Sequence, residues 1–285
     1  MPLLLGAVAY APKVVTIWEG FKAFFGRRGL DFDFVLYSNY ERQVEAQFAG
    51  DIDVAWNSPL AWQRATRLAR ARGVTERVRA IGMRDTDCDL TSIVVVRADS
   101  PIRSLPDLCG KKIGVGAIDS PQATLIPLQW LREQGIDAER EATVVRHDVL
   151  AGKHGDHIGG ERDAAAALAA GEIDAACIID GNHLLFTQEG VLAPGSTRVL
   201  GRTPAYDHCN FTTSPHAAAA PMERFLELLL AMRYDDPEVR PLLDLEGLKQ
   251  WRVGRTSGYA LLDRAVNATS FFTPEGAIGI TGYRY

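Results

Sequence analysis

Apolar runs and amphipathic stretches alternate along this chain with little interruption. Residues 3–10, LLLGAVAY, read as a buried strand, and residues 14–27 repeat apolar side chains at helical spacing. A second strand is expected at 32–37, then a helix opening at Asn39, Tyr40 and Glu41. A short strand at 54–56, a helix after Pro59 and a strand at 78–83 follow. The β-branched run 90–97 reads as a long central strand. A turn and short helix cover 99–108, with a strand at 112–115, a helix at 120–134 and a strand at 142–145. A polar loop, 146–161, leads into the alanine-rich stretch 163–170, a strong helix former, and a strand at 175–179. Strands at 197–202 and 210–213, a helix at 222–232 and a mixed tail with Trp251 and Tyr259 as packing residues complete the pattern. Strands and helices alternating in this way predict an α/β layered protein.

With 285 residues the chain is long enough for two lobes of about 100–200 residues each. A formal net charge of −5 gives no electrostatic footprint for nucleic acid or an anionic membrane surface. No apolar run approaches the roughly 20 residues of a bilayer span, so membrane insertion is not expected. The first strand starts directly after Met1-Pro2, without a basic segment or separate apolar segment of an export signal. A cytoplasmic location is the expectation, with a periplasmic or extracellular one if a signal has been removed. Cys88, Cys109, Cys177 and Cys209 lack metal-type CxxC spacing. Cys109 and Cys177 lie beside segments that read as buried helix and strand, so free thiols are expected, consistent with a reducing compartment.

Three segments carry a family resemblance. Residues 92–115, SIVVVRADSPIRSLPDLCGKKIGV, are similar to a block of the phosphate/phosphite/phosphonate solute-binding proteins of ABC importers. DIDVAWNSPLA at 51–61 is similar to that family's D-I-A-W-x-G-P-L-S segment, and RDAA at 162–165 with AGEIDAA at 170–176 resembles its H-D-A-A…G-x-V-D-A-A segment. The resemblance implies a two-lobed periplasmic-binding-protein type II fold, each lobe a mixed sheet flanked by helices. It implies a discontinuous first lobe (1–97 plus 203–285), a second lobe (98–202) and hinges near 97–100 and 201–206. The ligand cleft would lie between them, where helix N-termini favour anions.

The resemblance also names ligand positions. Tyr40 stands where the family has a ligand-contacting tyrosine, and Leu90 stands where it has an aromatic residue. The family's Ser-Thr-Ser-Gly anion cradle is replaced by Ser120, Pro121, Gln122 and Ala123, of which Pro121 has no N–H to offer. Arg162 replaces the histidine of H-D-A-A and brings a fork of donors suited to carboxylate or phosphate. Asn57, Ser58, Asp180, His183, Tyr206 and His208 complete the candidate ligand set. Ser120 and Asp180 read equally well as helix caps, and Arg162 as a solvated residue at a helix start.

The loop 146–161 holds three of the six histidines and has no counterpart in the family pattern. His154, Asp156 and His157 form a candidate divalent-metal set, with Glu161 or His147 completing it. His157 or His154 is alternatively a general base, and the plain alternative is a solvated polar loop. His208 and Cys209 are adjacent, and on an extended strand they would point to opposite faces. Two functions follow: a binder of a small polar, anionic metabolite that serves an ABC permease if exported, or a cytosolic enzyme on the same scaffold using the histidine-rich loop.

Overall fold

The chain's strands sort into two sheets in the computed structural model, which describes residues 2–155 and 160–285. Leu3–Val8 (β1), Phe32–Tyr37 (β2), Val54–Asn57 (β3) and Ala80–Arg84 (β4) begin the first sheet. Ser92–Arg97 (β5), Lys112–Val115 (β6), Thr143–Arg146 (β7), Ala175–Ile179 (β8) and Thr197–Arg202 (β9) make the second. The chain then returns to the first sheet with Asn210–Thr213 (β10) and Trp251–Val253 (β11). The orders are β11-β4-β10-β3-β1-β2 and β7-β6-β8-β5-β9, and both sheets mix parallel and antiparallel pairs. The α/β layering expected from the alternating pattern is therefore present.

One boundary differs from expectation. Ser92–Arg97 was expected to close the first lobe, but it pairs with β8 and β9 inside the second sheet. Ile93 to Val96 are fully buried on both faces, which only a central strand allows. The crossing therefore lies earlier, where Leu90 and Tyr206 exchange backbone hydrogen bonds of 2.8 Å in an isolated antiparallel bridge.

Local chemistry explains the element ends that shape the cleft. Ser58 accepts from Ala61 N at 3.1 Å and Pro59 follows it, so the helix Pro59–Ala71 starts where cap and proline coincide. The expected helix at 120–134 is split instead. Pro127 has no N–H for the carbonyl of Ala123, which accepts from Gly116 N at 3.3 Å. Pro121–Leu125 consequently winds as a π-turn, and the α-helix runs only from Ile126 to Glu133.

Aromatic residues of the helix Lys13–Arg27 (Trp18, Phe21, Phe24 and Phe25) pack on one face of the first sheet with Phe211, Phe225 and Trp251. Tyr40, Val44, Trp62 and Tyr259 cluster separately. Along β5 the side chains alternate, with Val94 and Val96 packing in one core and Ile93 and Val95 in another. A further cluster joins Leu60 to Leu125 and Ile126, together with Leu261, Phe271 and Tyr283 of the C-terminal segment. It spans the two halves, so burial at about 1.5–3 kcal/mol per large side chain holds them together. Cys177 and Cys209 are buried and Cys88 is partly so; Cys109, expected near buried structure, is exposed, and none of the four forms a disulfide.

Candidate functional site

Three N-capped turns converge between the sheets. Asn39 caps the helix Tyr40–Ala49 by accepting from Arg42 N at 2.9 Å, Ser58 caps Pro59–Ala71, and Ser120 caps the π-turn through Ala123 N at 3.2 Å. An anion was expected among Tyr40, Ser58 and Ser120. The space is filled instead by the chain's own segment 150–155, which leaves β7 and crosses to the first sheet.

His154 is the centre of that crossing. Its Nδ1 lies 2.6 Å from Ser58 Oγ and its Nε2 2.9 Å from Glu41 Oε1. Its ring stacks on Tyr40 with centroids 4.8 Å apart and planes 18° from parallel. Around it, Tyr40 N donates to Gly152 O at 3.1 Å, and Lys153 Nζ donates to Ala9 O at 2.8 Å and to Ser38 O. Asp119 Oδ2 accepts from Gly152 N at 2.6 Å and His154 N at 3.2 Å, which ties the loop's backbone down. Gln122 Nε2 donates to Gly155 O at 2.7 Å. Gly155 has φ +68°, and a Cβ there would stand 2.4 Å from Ser120 Oγ, so only glycine permits this approach.

The network is electrostatically coupled. Burial opposes the Glu41 carboxylate, but the charge and hydrogen bond of His154 and the Tyr283 hydroxyl outweigh it, and Glu41 sits below the usual carboxylate range. Tyr283 Oη is 2.7 Å from Glu41 Oε1 and 3.2 Å from Asp119 Oδ2. Burial raises Asp119, only partly countered by His154 and by the Gly152 and His154 amides. Ser58, His154 and Glu41 have the connectivity of a nucleophile, base and orienter. Yet Ser58 and Glu41 are 0% exposed and His154 is 1% exposed, so the arrangement locks the two halves and presents no hydroxyl to a substrate.

Beside the lock is a cavity of about 320 Å³ walled by both halves. The first half contributes Tyr10, Trp56, Arg84, Asp87 and His208; the second contributes Gln122, Gly155, Gly181 and Asn182. Gly181 and Asn182 belong to the first turn of the helix Asp180–Gln188, whose N-terminus has no side-chain cap. Its leading N–H groups lack intrahelical partners and favour negative charge. Arg84 offers little net charge. It grips Asp87 through Nε at 2.6 Å and Nη2 at 2.9 Å, and Glu246 Oε2 through Nη1 at 3.2 Å. Arg84 and His208 offset the cost of burial, so Asp87 is held down to about 2. Glu161, buried behind Asn182, is raised by burial, although Asn182 Nδ2 and Ile179 N both donate to its Oε2 at 2.9 Å. A second cavity, about 380 Å³, lies by the helix Ile126–Glu133. Its Arg132 and Arg146 both pair with Glu139 at 3.2 Å, which leaves no obvious anion seat.

Of the residues expected to contact ligand, Gln122 and His208 line the interlobe cavity, and Tyr40, Ser58 and Ser120 surround the loop instead. Asn57 is buried, 2.8 Å from Gln43 Nε2. Tyr206 is buried at the crossing, with its hydroxyl 2.7 Å from Ser92 Oγ. Three others face elsewhere: Arg162 pairs with Glu189 at 2.5 Å over the Phe186 ring, Asp180 pairs with Arg202, and His183 Nε2 meets Thr197 Oγ1 at 2.8 Å. Helix-terminal and strand-end pairing satisfied these charges locally, which spacing could not reveal. Of the expected metal set, Asp156 and His157 lie outside the described residues, and both nitrogens of His154 face other partners.

Sequence reasoning missed Arg84 and Asp87, and from the segment 180–183 it chose Asp180 and His183, whereas Gly181 and Asn182 line the cavity. The run RDTD at 84–87, charged residues just after an apolar strand, was the available signal, because ligands gather at strand carboxyl ends. It also misjudged His208 and Cys209. Cys209 Sγ lies 3.1 Å from His208 Nδ1, because β10 begins only at Asn210 and strand alternation does not apply before it.

Comparison with known proteins places these features in a family. Residues 8–259 match the family described as ABC transporter, phosphonate, periplasmic substrate-binding protein. PhnD1 from Prochlorococcus marinus in complex with methylphosphonate superposes with a TM-score of 0.69 at 15% identity, covering 95% of this chain and 98% of that one. XAC2383 from Xanthomonas citri bound to ATP gives 0.69 at 18% identity, covering 93% and 97%. The periplasmic aliphatic sulphonate binding protein SsuA from Escherichia coli gives 0.57 at 17% identity, covering 94% and 86%. The shared fold is the periplasmic binding protein type II architecture.

Proposed function

This chain belongs to the family of periplasmic phosphonate substrate-binding proteins of ABC transporters, and from that premise we propose that it reversibly binds one small anionic ligand in the interlobe cavity. The observation that carries this reading is the cavity itself, closed by both halves and facing the uncapped start of the helix Asp180–Gln188. Its volume, about 320 Å³, lies at the low end of small-molecule sites. The anion would take the backbone amides of Gly181 and Asn182 and the Gln122 side chain. Trp56 supplies an apolar wall.

The ligand is not gripped as in the family's serine–threonine cradle, because segment 150–155 occupies that place. Binding and release would involve the two halves, 2–91 with 203–285 against 92–202, moving about the Leu90–Tyr206 bridge. The partner would be an ABC permease, and the family's description favours the periplasm over the cytoplasm as its place of work. No helix among the described residues is long and apolar enough to cross a membrane. Calorimetric titration with methylphosphonate, phosphate, methanesulfonate and taurine tests the proposal. One-site binding of at least one anion, weakened by Gln122→Ala, is expected; no binding by any of the four would overturn it.

A further inference from the structure

We propose that Asp87, His208 and Cys209 form a divalent-metal site in the wall of the interlobe cavity, suited to Zn²⁺, with its remaining coordination position open to that cavity. This goes beyond anion binding and does not depend on it. The three donor atoms lie within 4.8 Å of one another, and all three residues are buried. Cys209 Sγ is 3.1 Å from His208 Nδ1, which is 3.4 Å from Asp87 Oδ1. Tetrahedral zinc with bonds of about 2.0–2.3 Å separates its ligands by about 3.3–3.8 Å. The His208–Asp87 separation already fits, His208 and Cys209 would open by a few tenths of an ångström, and Asp87 and Cys209 lie no more than 4.8 Å apart.

The surroundings favour the metal-binding form of each ligand. Gln122 donates through Nε2 to Gly155 O, which turns its Oε1 toward His208 Nε2 at 3.5 Å. With Nε2 donating to that acceptor, Nδ1 is the ring nitrogen aimed at a thiol sulfur and a carboxylate oxygen, and a metal ion there would replace the proton it otherwise shares with them. A lone pair facing a carboxylate calls for a cation or a proton between them. Arg84 orients Asp87 through two hydrogen bonds, the role of an outer partner at many metal sites. The charges of Arg84, Asp87 and Glu246 add to −1. A divalent ion and a Cys209 thiolate together add +1 and neutralise the buried group. Sulfur, imidazole and one carboxylate suit zinc and disfavour magnesium or calcium. Cys209 is 0% exposed, which shuts it off from an organic electrophile, whereas Asp87 and His208 reach the cavity from which an ion would enter.

The test is a titration of reduced, chelator-treated protein with Zn²⁺ and, separately, with Co²⁺. One equivalent should bind, releasing the thiol proton, and Co²⁺ should give the near-ultraviolet thiolate-to-cobalt charge-transfer band. Cys209→Ser should abolish that band and weaken Zn²⁺ at least about tenfold, with an unchanged melting temperature in the absence of metal. Absence of saturable binding overturns the site. So does a band or affinity retained in Cys209→Ser, which would place the ion on other cysteines or on the histidine-rich loop. If Cys209→Ser does not fold, His208→Gln decides: weakened Zn²⁺ supports the site, and unchanged affinity overturns it.

Discussion

His154 Nε2 and Glu41 Oε1, 113 residues apart in the chain, meet at 2.9 Å inside the protein and pin the second half to the first. This contact occupies the place where the family resemblance puts a ligand. The protein therefore carries a piece of itself between its halves, and the open volume lies to one side.

His154→Ala should loosen that closure. It strands the Glu41 carboxylate with Tyr283 as its remaining side-chain hydrogen-bond donor among the described residues, and breaking a buried pair typically costs about 3–5 kcal/mol. A lower melting temperature and a larger radius of gyration by solution scattering are expected. An unchanged melt would show that the contact does not hold the halves.

Acid should act through two carboxylates. Glu41 is held below its usual 4.5, so the stability it brings is complete above that value and disappears as pH falls through the lower folded-state value. Asp87, lowered from 3.8 to about 2, contributes about 2 kcal/mol that is present above pH 3.8 and lost toward pH 2. Urea unfolding across this range should show the loss, and Asp87→Asn should lack its share of the slope. The same slope in the variant would refute the assignment.

Gly155→Ala should be costly for one added methyl group. The left-handed backbone penalises alanine, and the new Cβ would collide with Ser120 Oγ at 2.4 Å. A loss of about 1–3 kcal/mol is expected, measured by chemical denaturation, because the segment must withdraw. Ser120→Gly should recover part of it, and no recovery would place the strain elsewhere.

Gln122→Ala and Arg162→Ala should separate the cavity from the resemblance. Gln122 lines the cavity, whereas Arg162 is half-exposed and pairs with Glu189. The first should weaken anion binding at least about tenfold, as loss of a hydrogen bond to a charged ligand does. The second should leave affinity unchanged and stability within about 1 kcal/mol. The reverse order would return the site to the family's positions.

Much of the architecture was legible because periodicity reports burial. The alternation of Ile93, Val94, Val95 and Val96 between two cores and the helical repeat from Lys13 to Arg27 follow directly from side-chain spacing. Caps were also readable, since Ser58-Pro59 and Ser120-Pro121 are local signals. The sheet to which β5 belongs was not, because a strand buried on both faces carries no mark of its partners.

The site divides along the same line. Sequence by itself determined the α/β elements, the family and the presence of a glycine- and histidine-rich loop after the strand at 142–145. Only the tertiary structure decided that His154 closes on Glu41 and Ser58, that Arg162 turns away to Glu189, and that Asp87 meets His208 and Cys209. The physical reason is range. Capping and periodicity act over a few residues, whereas a buried charge takes its partner from any segment that the packing of two sheets brings within about 3 Å.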